Sequence, residues 1–413
     1  MTVLLLLIVA AAVLLPIVGI LDAALIPESR WSEANQNKVV WVLVQFFVGP
    51  LGTIVYFALI RPKLRPSASP GRLNRRSLSG TFVAKAVVVV VVAIVLYELP
   101  LYYQEFRVRQ FNEVIFLSVA VLGLGLLTGF NGQISIGHGA FFGIGAYTTA
   151  ILVADHGWSY LATMPVGALL AFVVGALIGV PALRIKGLYL ALTTLAFATT
   201  FTLVVKKFSS VTGGTQGKVV PRFQVPSWSS LTNDQFIYYL LLIMAVVLFV
   251  LARNLVKSRV GRALIAVRDN EVAAEVVGVN LAAYKVMTFG LSAALAGIAG
   301  SMSVINTPFV DANSFTINKS IEFLAALVIG GAATIFGPVI GAFFVVFVPE
   351  FSSDINPALS QVIYGGLLIL LMLVLPGGIM GGLKQLWAFA SRHLRRSTPA
   401  GPTPPVDSPL PAT

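Results

Sequence analysis

An amide pair, a serine and a histidine fall within eight residues, Asn131 to His138, of a stretch that is otherwise glycine and apolar. These are Asn131, Gln133, Ser135 and His138, with Tyr147 closing the same polar run. A histidine so placed could act as a base or bind a metal. It has no second histidine, acid or thiol at ligand spacing, and His156 lies eighteen residues on, across an apolar segment. A hydrogen bond from His138 to a neighbouring helix is the expectation. Asn131, Gln133 and Ser135 have two readings: they contact a solute, or they satisfy a broken backbone.

Other candidates for chemistry fail on residue type. Thr212-Gly-Gly-Thr-Gln-Gly-Lys-Val219 ends like a phosphate loop, but its first glycine is replaced by Thr212 and its last Ser/Thr by Val219. Phosphate cradling and magnesium ligation are both lost with those two residues. No serine-nucleophile elbow and no paired-carboxylate site occurs, so the chain is not expected to be an enzyme. Thr193, Thr194, Thr199 and Thr200 are expected to bond their own helix carbonyls. Glu322 opens a short apolar segment, where it either stabilises a helix N-terminus or faces a pathway.

The elements that must position these residues are membrane helices. The chain has 413 residues, of which 57% are hydrophobic and 11% charged, and it has no cysteine. Several runs reach the roughly 18 to 20 apolar residues that cross a hydrocarbon core, and Val87 to Val92 shows none of the alternation of a membrane barrel. The fold class read from this is all-α, a polytopic membrane protein of about 10 to 12 transmembrane helices with broken or re-entrant segments. The net charge of +12 sits in short loops between apolar spans, which points to membrane topology and away from nucleic acid.

Spans are expected at about Leu4–Ile26, retained and not cleaved as a signal peptide, and at Val39–Ile60. Residues 61–76 contain no acid and are cytoplasmic by the positive-inside rule. Further spans are read at 82–99, 113–130, 138–154, 162–182, 187–205, 235–252 and 285–305. Ile321 to Ile329 and Val339 to Val348 are each too short to span, and read as two tilted helices or a re-entrant hairpin. Gln361 to Leu375 returns the chain to the cytoplasm, so both termini lie inside. The domains are 1–80, a two-helix extension with a basic linker; 81–390, the core; and 391–413, a disordered proline-rich tail.

Within this frame Thr128 to Tyr147 lies between apolar runs, at a depth where lipid cannot satisfy irregular backbone. It is therefore the first candidate for a translocation pathway. Gly139-Ala-Phe-Phe142 recurs as Gly341-Ala-Phe-Phe344, a weak echo of paired broken segments. The cytoplasmic segment 258–280 reads as two short amphipathic helices broken at Asp269 and Asn270, with Leu264 and Val267 on one apolar face and Val272 and Val276 on the other. Gly278 ends the second, and Asn280 caps the membrane helix after it. Glu271 and Glu275, four apart, put like charges on one exposed face, which a basic partner surface would explain.

Gly261-Arg262-Ala-Leu, Arg268-Asp-Asn-Glu271, Ala273-Ala274-Glu275, Gly278 and Tyr284-Lys285 resemble the cytoplasmic coupling segment of LivM-type permeases of ABC importers for branched-chain amino acids. The stretch Thr128 to Tyr147 is similar to the same family's signature. Leu183 to Tyr189, Thr212 to Gly217, Gly330-Gly331 and Gly337 to Ala342 agree as well, so the resemblance covers roughly 113 to 382. It implies a bacterial-type inner-membrane permease subunit paired with a homologous second permease, two cytoplasmic ATP-binding subunits and an extracytoplasmic solute-binding protein. No cofactor is bound by this chain; ATP and magnesium belong to the partners. A low-affinity route would run past Asn131, Gln133, Ser135, His138, Tyr147 and Glu322. Arg262, Arg268, Glu271, Ala273, Ala274, Glu275 and Gly278 would meet an ATPase subunit. A urea or short-amide importer shares these motifs, and an ion-coupled secondary transporter is the alternative outside the family. Gly139, where that family usually has alanine, predicts looser packing; Lys218 and the first 80 residues also depart from the family pattern.

Overall fold

The computed structural model describes residues 94–382 apart from 186, 227, 228 and 230, together with Trp41, Tyr56 and Ile60. The chain forms two compact units, Met1–Ala93 and Ile94–Thr413. The expected span Leu4–Ile26, the rest of Val39–Ile60, the basic linker and the proline-rich tail lie outside the described residues.

Residues 94–102 are helical, and eleven longer or functionally placed helices follow. These are α1 (Glu105–Leu124), α2 (His138–His156), α3 (Tyr160–Gly179), α4 (Leu188–Lys207), α5 (Asn233–Lys257), α6 (Arg259–Asp269), α7 (Glu271–Val276), α8 (Leu281–Asn306), α9 (Ile317–Gly330), α10 (Gly337–Ile355) and α11 (Ser360–Val374). A π-helical turn, Gly125–Phe130, extends α1. Seven of the helical segments among the described residues are long and apolar enough to cross a membrane: α1 with its π turn, α3, α4, α5, α8, α10, and α11 with its continuation to Gly382. The expected spans 162–182, 187–205, 235–252, 285–305 and Gln361–Leu375 fall on α3, α4, α5, α8 and α11; that at 113–130 falls on α1, which starts earlier, at Glu105, and that at 138–154 falls on α2, which is not among the seven.

Helix α1 is central: 83% of its most apolar window is buried, against 6% for α11. Helix α8 packs most extensively on α3, then on α2 and α1. Glycine makes that packing close. A methyl group on Gly145 of α2 would collide with the Gly297 backbone of α8, and one on Gly300 with the Phe142 carbonyl. Small residues let membrane helices approach until their backbones touch, which replaces a hydrophobic driving force that lipid does not supply. Around this seam, Phe142 packs at a tilt on Phe116 and Phe315 and meets Phe323 edge-on.

The two ends of the bundle differ. At one end the 131–137 link, α6, α7 and the 331–336 turn gather: Arg268 reaches Gly129, and Phe130, Arg253 and Phe336 line one shallow recess. At the other end β1 (Lys218–Val219) pairs antiparallel with β2 (Phe309–Val310), Lys218 opposite Val310. Ion pairs Asp155–Lys218 at 2.6 Å and Arg109–Asp234 at 3.0 Å tie that same end. Lys218, a departure from the family pattern, is thus accounted for.

Helices α9 and α10, of 14 and 19 residues, pack against each other, and of the two only α10 is long and apolar enough to cross a membrane. The expectation that Val339 to Val348 is too short to span fails because the helix continues past Pro349 to Ile355. Glu350 stops the apolar run without stopping the helix. Its carboxylate accepts from Arg107 at 2.6 Å and from Gln110 at 2.7 Å, both on α1.

Candidate functional site

The polar stretch folds into a hydrogen-bonded link between α1 and α2. The Thr128 hydroxyl donates to the Gln133 carbonyl at 3.0 Å, and the Gln133 N–H donates to the Leu127 carbonyl at 3.1 Å. The Asn131 amide donates to Gln133 Oε1 at 2.9 Å, leaving Asn131 Oδ1 buried without a protein partner. Gly132 has φ of 75°, a left-handed conformation that glycine adopts without a Cβ penalty. Asn131, Gln133 and Ser135 are all buried; the two amide side chains bond each other, and of the three side chains only that of Ser135 meets the backbone, accepting from the Gly137 N–H at 3.3 Å.

His138 opens α2 and is fully buried. Its Nε2 lies 2.7 Å from Ser292 Oγ, and Nδ1 lies 3.2 Å from Ser135 Oγ. The Ser292 hydroxyl donates its one proton to the Gly123 carbonyl at 2.5 Å. It must therefore accept from His138, which fixes the proton on Nε2 and makes Nδ1 the acceptor for Ser135. The imidazole is a neutral staple between α2, α8 and α1, with both nitrogens in use. Among the described residues no cluster of His, Cys, Asp or Glu could hold a metal ion.

The remaining expected pathway residues do not converge on this link. Tyr147 is buried against Phe201 and Phe315, its hydroxyl without a partner. Glu322 does not sit at the N-terminus of α9; it is the sixth residue of the helix and pairs with Lys319 at 2.9 Å. The threonines of α4 bond back to their own turns as expected, and Thr194 also accepts from the Ile136 N–H at 2.9 Å. Gly139 does not loosen packing. Its N–H donates to Ser320 Oγ at 2.9 Å, and a Cβ there would lie 2.8 Å from that oxygen. Gly341, in the echoed motif, meets the Ala326 backbone, so both copies pack on α9.

Beneath the link lies a joint. Ser258, Asn270 and Asn280 each accept from a backbone N–H to start α6, α7 and α8, and Gly278 ends α7 at φ of 86°. Short polar residues at these positions satisfy N–H groups that the helices leave open. From the C-terminal turn of α6, Arg268 Nη1 donates to the Gly129 carbonyl at 2.9 Å, in the π turn that ends α1. The guanidinium is also forked onto Asp269 at 2.8 and 2.9 Å. Its stem packs on Gly132, where a Cβ would come within 2.9 Å of Arg268 Cγ. On the opposite side a Cβ on Gly129 would strike the Ala332 carbonyl of the 331–336 turn. The broken signature and the helix pair are one mechanical unit.

Several expectations for the helix pair are corrected. Glu271 and Glu275 line the same recess, but Glu271 is half-buried and accepts from the buried Lys285 of α8 at 2.6 Å, so the two acids are not a pair of free surface charges. A lysine at the start of an apolar helix was the sequence signal for that pair. Val272 and Val276 form no inward face: they are 71% and 82% exposed, beside exposed Val277, Ala273 and Glu275. Ala274 is buried within its own chain, unavailable to a partner, while Leu264 and Val267 are buried as expected. Arg262 stays exposed on α6, with one of its donors on the Lys257 carbonyl at 3.3 Å, near the end of α5.

A sequence model of the branched-chain amino acid transport system permease component matches residues 108–372. The chain belongs to this family. It is 28% identical over 373 residues to the high-affinity branched-chain amino acid transport system permease protein LivM of Escherichia coli K12, covering 84% of this chain and 86% of that protein. It is also 28% identical over 303 residues to the corresponding LivH protein of the same organism, covering 67% of this chain and 96% of LivH. The probable LivM of Methanocaldococcus jannaschii is 24% identical over 253 residues, 58% of this chain and 69% of the relative. No solved structure matches the chain.

Proposed function

We propose that this permease component is the membrane subunit of an ATP-driven importer for branched-chain amino acids. It would work with a second homologous permease, two cytoplasmic ATP-binding subunits and an extracytoplasmic solute-binding protein. ATP and magnesium would sit on the ATPases. The observation that carries the reading is the latch: α6 and α7 leave the bundle together, expose Val272, Val276, Val277 and Glu275 at their tip, and return force to α1 through Arg268 and to α8 through Glu271–Lys285. An apolar tip with a polar rim is the composition of a protein-binding patch. Arg253, Lys257, Arg259, Arg262 and Arg268 gather at that end, which supports a cytoplasmic orientation in a bacterial-type inner membrane, with both termini inside.

In this reading Asn131, Gln133, Ser135 and His138 frame the route without touching solute. The exposed apolar faces of α4 and α11 are left for lipid and the second permease. Counting α2, α9 and the N-terminal segments beside the seven long helices gives the proposed total of about 10 to 12 spans.

Two measurements test the proposal. Uptake of leucine by cells carrying the complete system is expected to stop when ATP is depleted with the proton gradient held; continued uptake would mean an ion-coupled transporter. Glu275→Lys is expected to reduce copurification of the ATP-binding subunits without unfolding the permease, and unchanged association would remove the tip from the interface. Solute binding by the cognate binding protein separates amino acids from urea and short amides.

A further inference from the structure

An open recess of about 650 Å³ lies apart from the link and the latch, lined by Arg184, Ile185, Tyr189, Leu192, Thr193 and Ala196. Its walls are the turn that joins α3 to α4 and the first two turns of α4. Leu190, Ala191, Thr194 and Ala198 are the buried face of α4, so the recess looks away from the bundle, beside exposed Leu188 and Tyr189. Helix α4 is one of the seven able to cross a membrane, which sets the recess at a membrane boundary. Leu183, next to Arg184, lines a neighbouring recess with Glu271, Glu275 and Lys285, so that boundary is the one at the latch end.

Polarity is sorted along the recess. The Arg184 side chain is exposed and has neither a carboxylate nor another hydrogen-bond partner among the described residues. Glu271 and Glu275 line the neighbouring recess and not this one, and Glu271 is bonded to Lys285 at 2.6 Å. From Tyr189 to Ala196 the helix rises about 10 Å away from that charge. The Thr193 hydroxyl on this stretch donates to the Tyr189 carbonyl at 2.9 Å, which leaves Leu192 and Ala196 as a carbon wall. A single negative charge at the mouth with an apolar chain beneath it matches this order in charge and in length. A free phosphate would use the arginine and leave the apolar wall bare.

We infer that this recess binds an anionic phospholipid of the leaflet on the latch side, its phosphate on Arg184 and the start of one acyl chain along Leu192 and Ala196. Basic pockets beside membrane helices take such head groups, and tyrosine favours the same level of the bilayer. The inference goes beyond the importer reading and holds whatever solute the permease moves.

The test uses the full-length protein, stripped of lipid in a neutral detergent, with native mass spectrometry counting bound dioleoylphosphatidylglycerol. One molecule is expected to stay bound at concentrations where dioleoylphosphatidylcholine, dioleoylglycerol and sn-glycerol 3-phosphate do not. Arg184→Gln is expected to weaken its binding about fivefold or more, the loss of one basic residue at a membrane surface. Ala196→Trp, which fills the recess without changing its charge, should weaken it as well. Both side chains are exposed, so neither change threatens the fold. Arg259→Gln, on exposed α6 at the same end but outside the recess, should leave binding as it is. Equal binding of the phosphatidylcholine, binding of glycerol phosphate as tight as that of the lipid, or undiminished binding in Arg184→Gln or Ala196→Trp would overturn the site. An equal loss in Arg259→Gln would reduce the effect to general surface charge and overturn it too. The count is repeated on the complete importer, where the lipid is expected to remain; its loss on assembly would give the recess to the second permease and overturn the lipid assignment.

Discussion

Arg268→Met is the perturbation that isolates the latch. Methionine keeps most of the stem that packs on Gly132 and removes the one bond from α6 to the Gly129 carbonyl. A hydrogen bond to a charged donor contributes about 1.5 to 3 kcal/mol. The Arg268 side chain is 32% exposed and shares its guanidinium with Asp269, so the lower end applies, about 1 to 2 kcal/mol. That is a factor of about 5 to 30 in the balance between latched and unlatched joints. It is small beside the roughly 5 to 15 kcal/mol that holds a folded domain together, so the protein should still fold and assemble. The assay is solute transported per ATP hydrolysed in the reconstituted importer. The ratio should fall by about that factor, with ATP hydrolysis itself continuing. Asp269→Asn, which leaves the Gly129 bond in place, should stay near wild type. An unchanged ratio in Arg268→Met would refute force transfer through this contact.

Three further substitutions test the scaffold. Gly145→Ala sets a methyl against the Gly297 backbone, which cannot yield as a side chain could, and should lower stability by about 3 kcal/mol or more, read as a lower Tm in detergent. His138→Ala removes both serine contacts and leaves a cavity in a fully buried position, an expected loss of about 2 to 4 kcal/mol in the same measurement. Lys285→Met strands Glu271 and should cost about 1 to 3 kcal/mol, with most of it recovered in the Lys285→Met, Glu271→Gln double variant; strict additivity would refute the pairing.

The elements of the core were legible because membrane crossing demands long apolar runs, and the runs at 162–182, 187–205 and 285–305 have no competing reading. Caps were legible for a local reason: Asn270, Gly278 and Asn280 act on backbone groups within three or four residues. His138 was legible as a packing residue from the absence of ligand partners nearby. What the sequence concealed is long-range. The Arg268 contact with Gly129 joins residues 139 apart, and no local pattern in the polar stretch announces it. The run Val339 to Val348 read as too short to span because the partners of Glu350 beyond it, Arg107 and Gln110, lie on another helix. Val272 and Val276 satisfied a helical pattern whose inward face, in a helix of six residues, is occupied by Ala274 alone.

The backbone contacts of Gly145 with Gly297 and of Gly300 with Phe142 bear on how such a protein can move. Helices separated by a layer of side chains can slide, because rotamers exchange as one ridge passes the next. Helices α2 and α8 have no such layer where these glycines meet, and any slip of a turn would drive a Cβ into a carbonyl. They must travel as one piece, with the extensively packed α3 in the same block. A displacement delivered at Lys285 therefore reaches the opposite end of α8, some 20 residues and about 30 Å away, without being absorbed on the way. Packing of this kind among α2, α3 and α8 favours the tilt of a stiff block over the sliding of its helices.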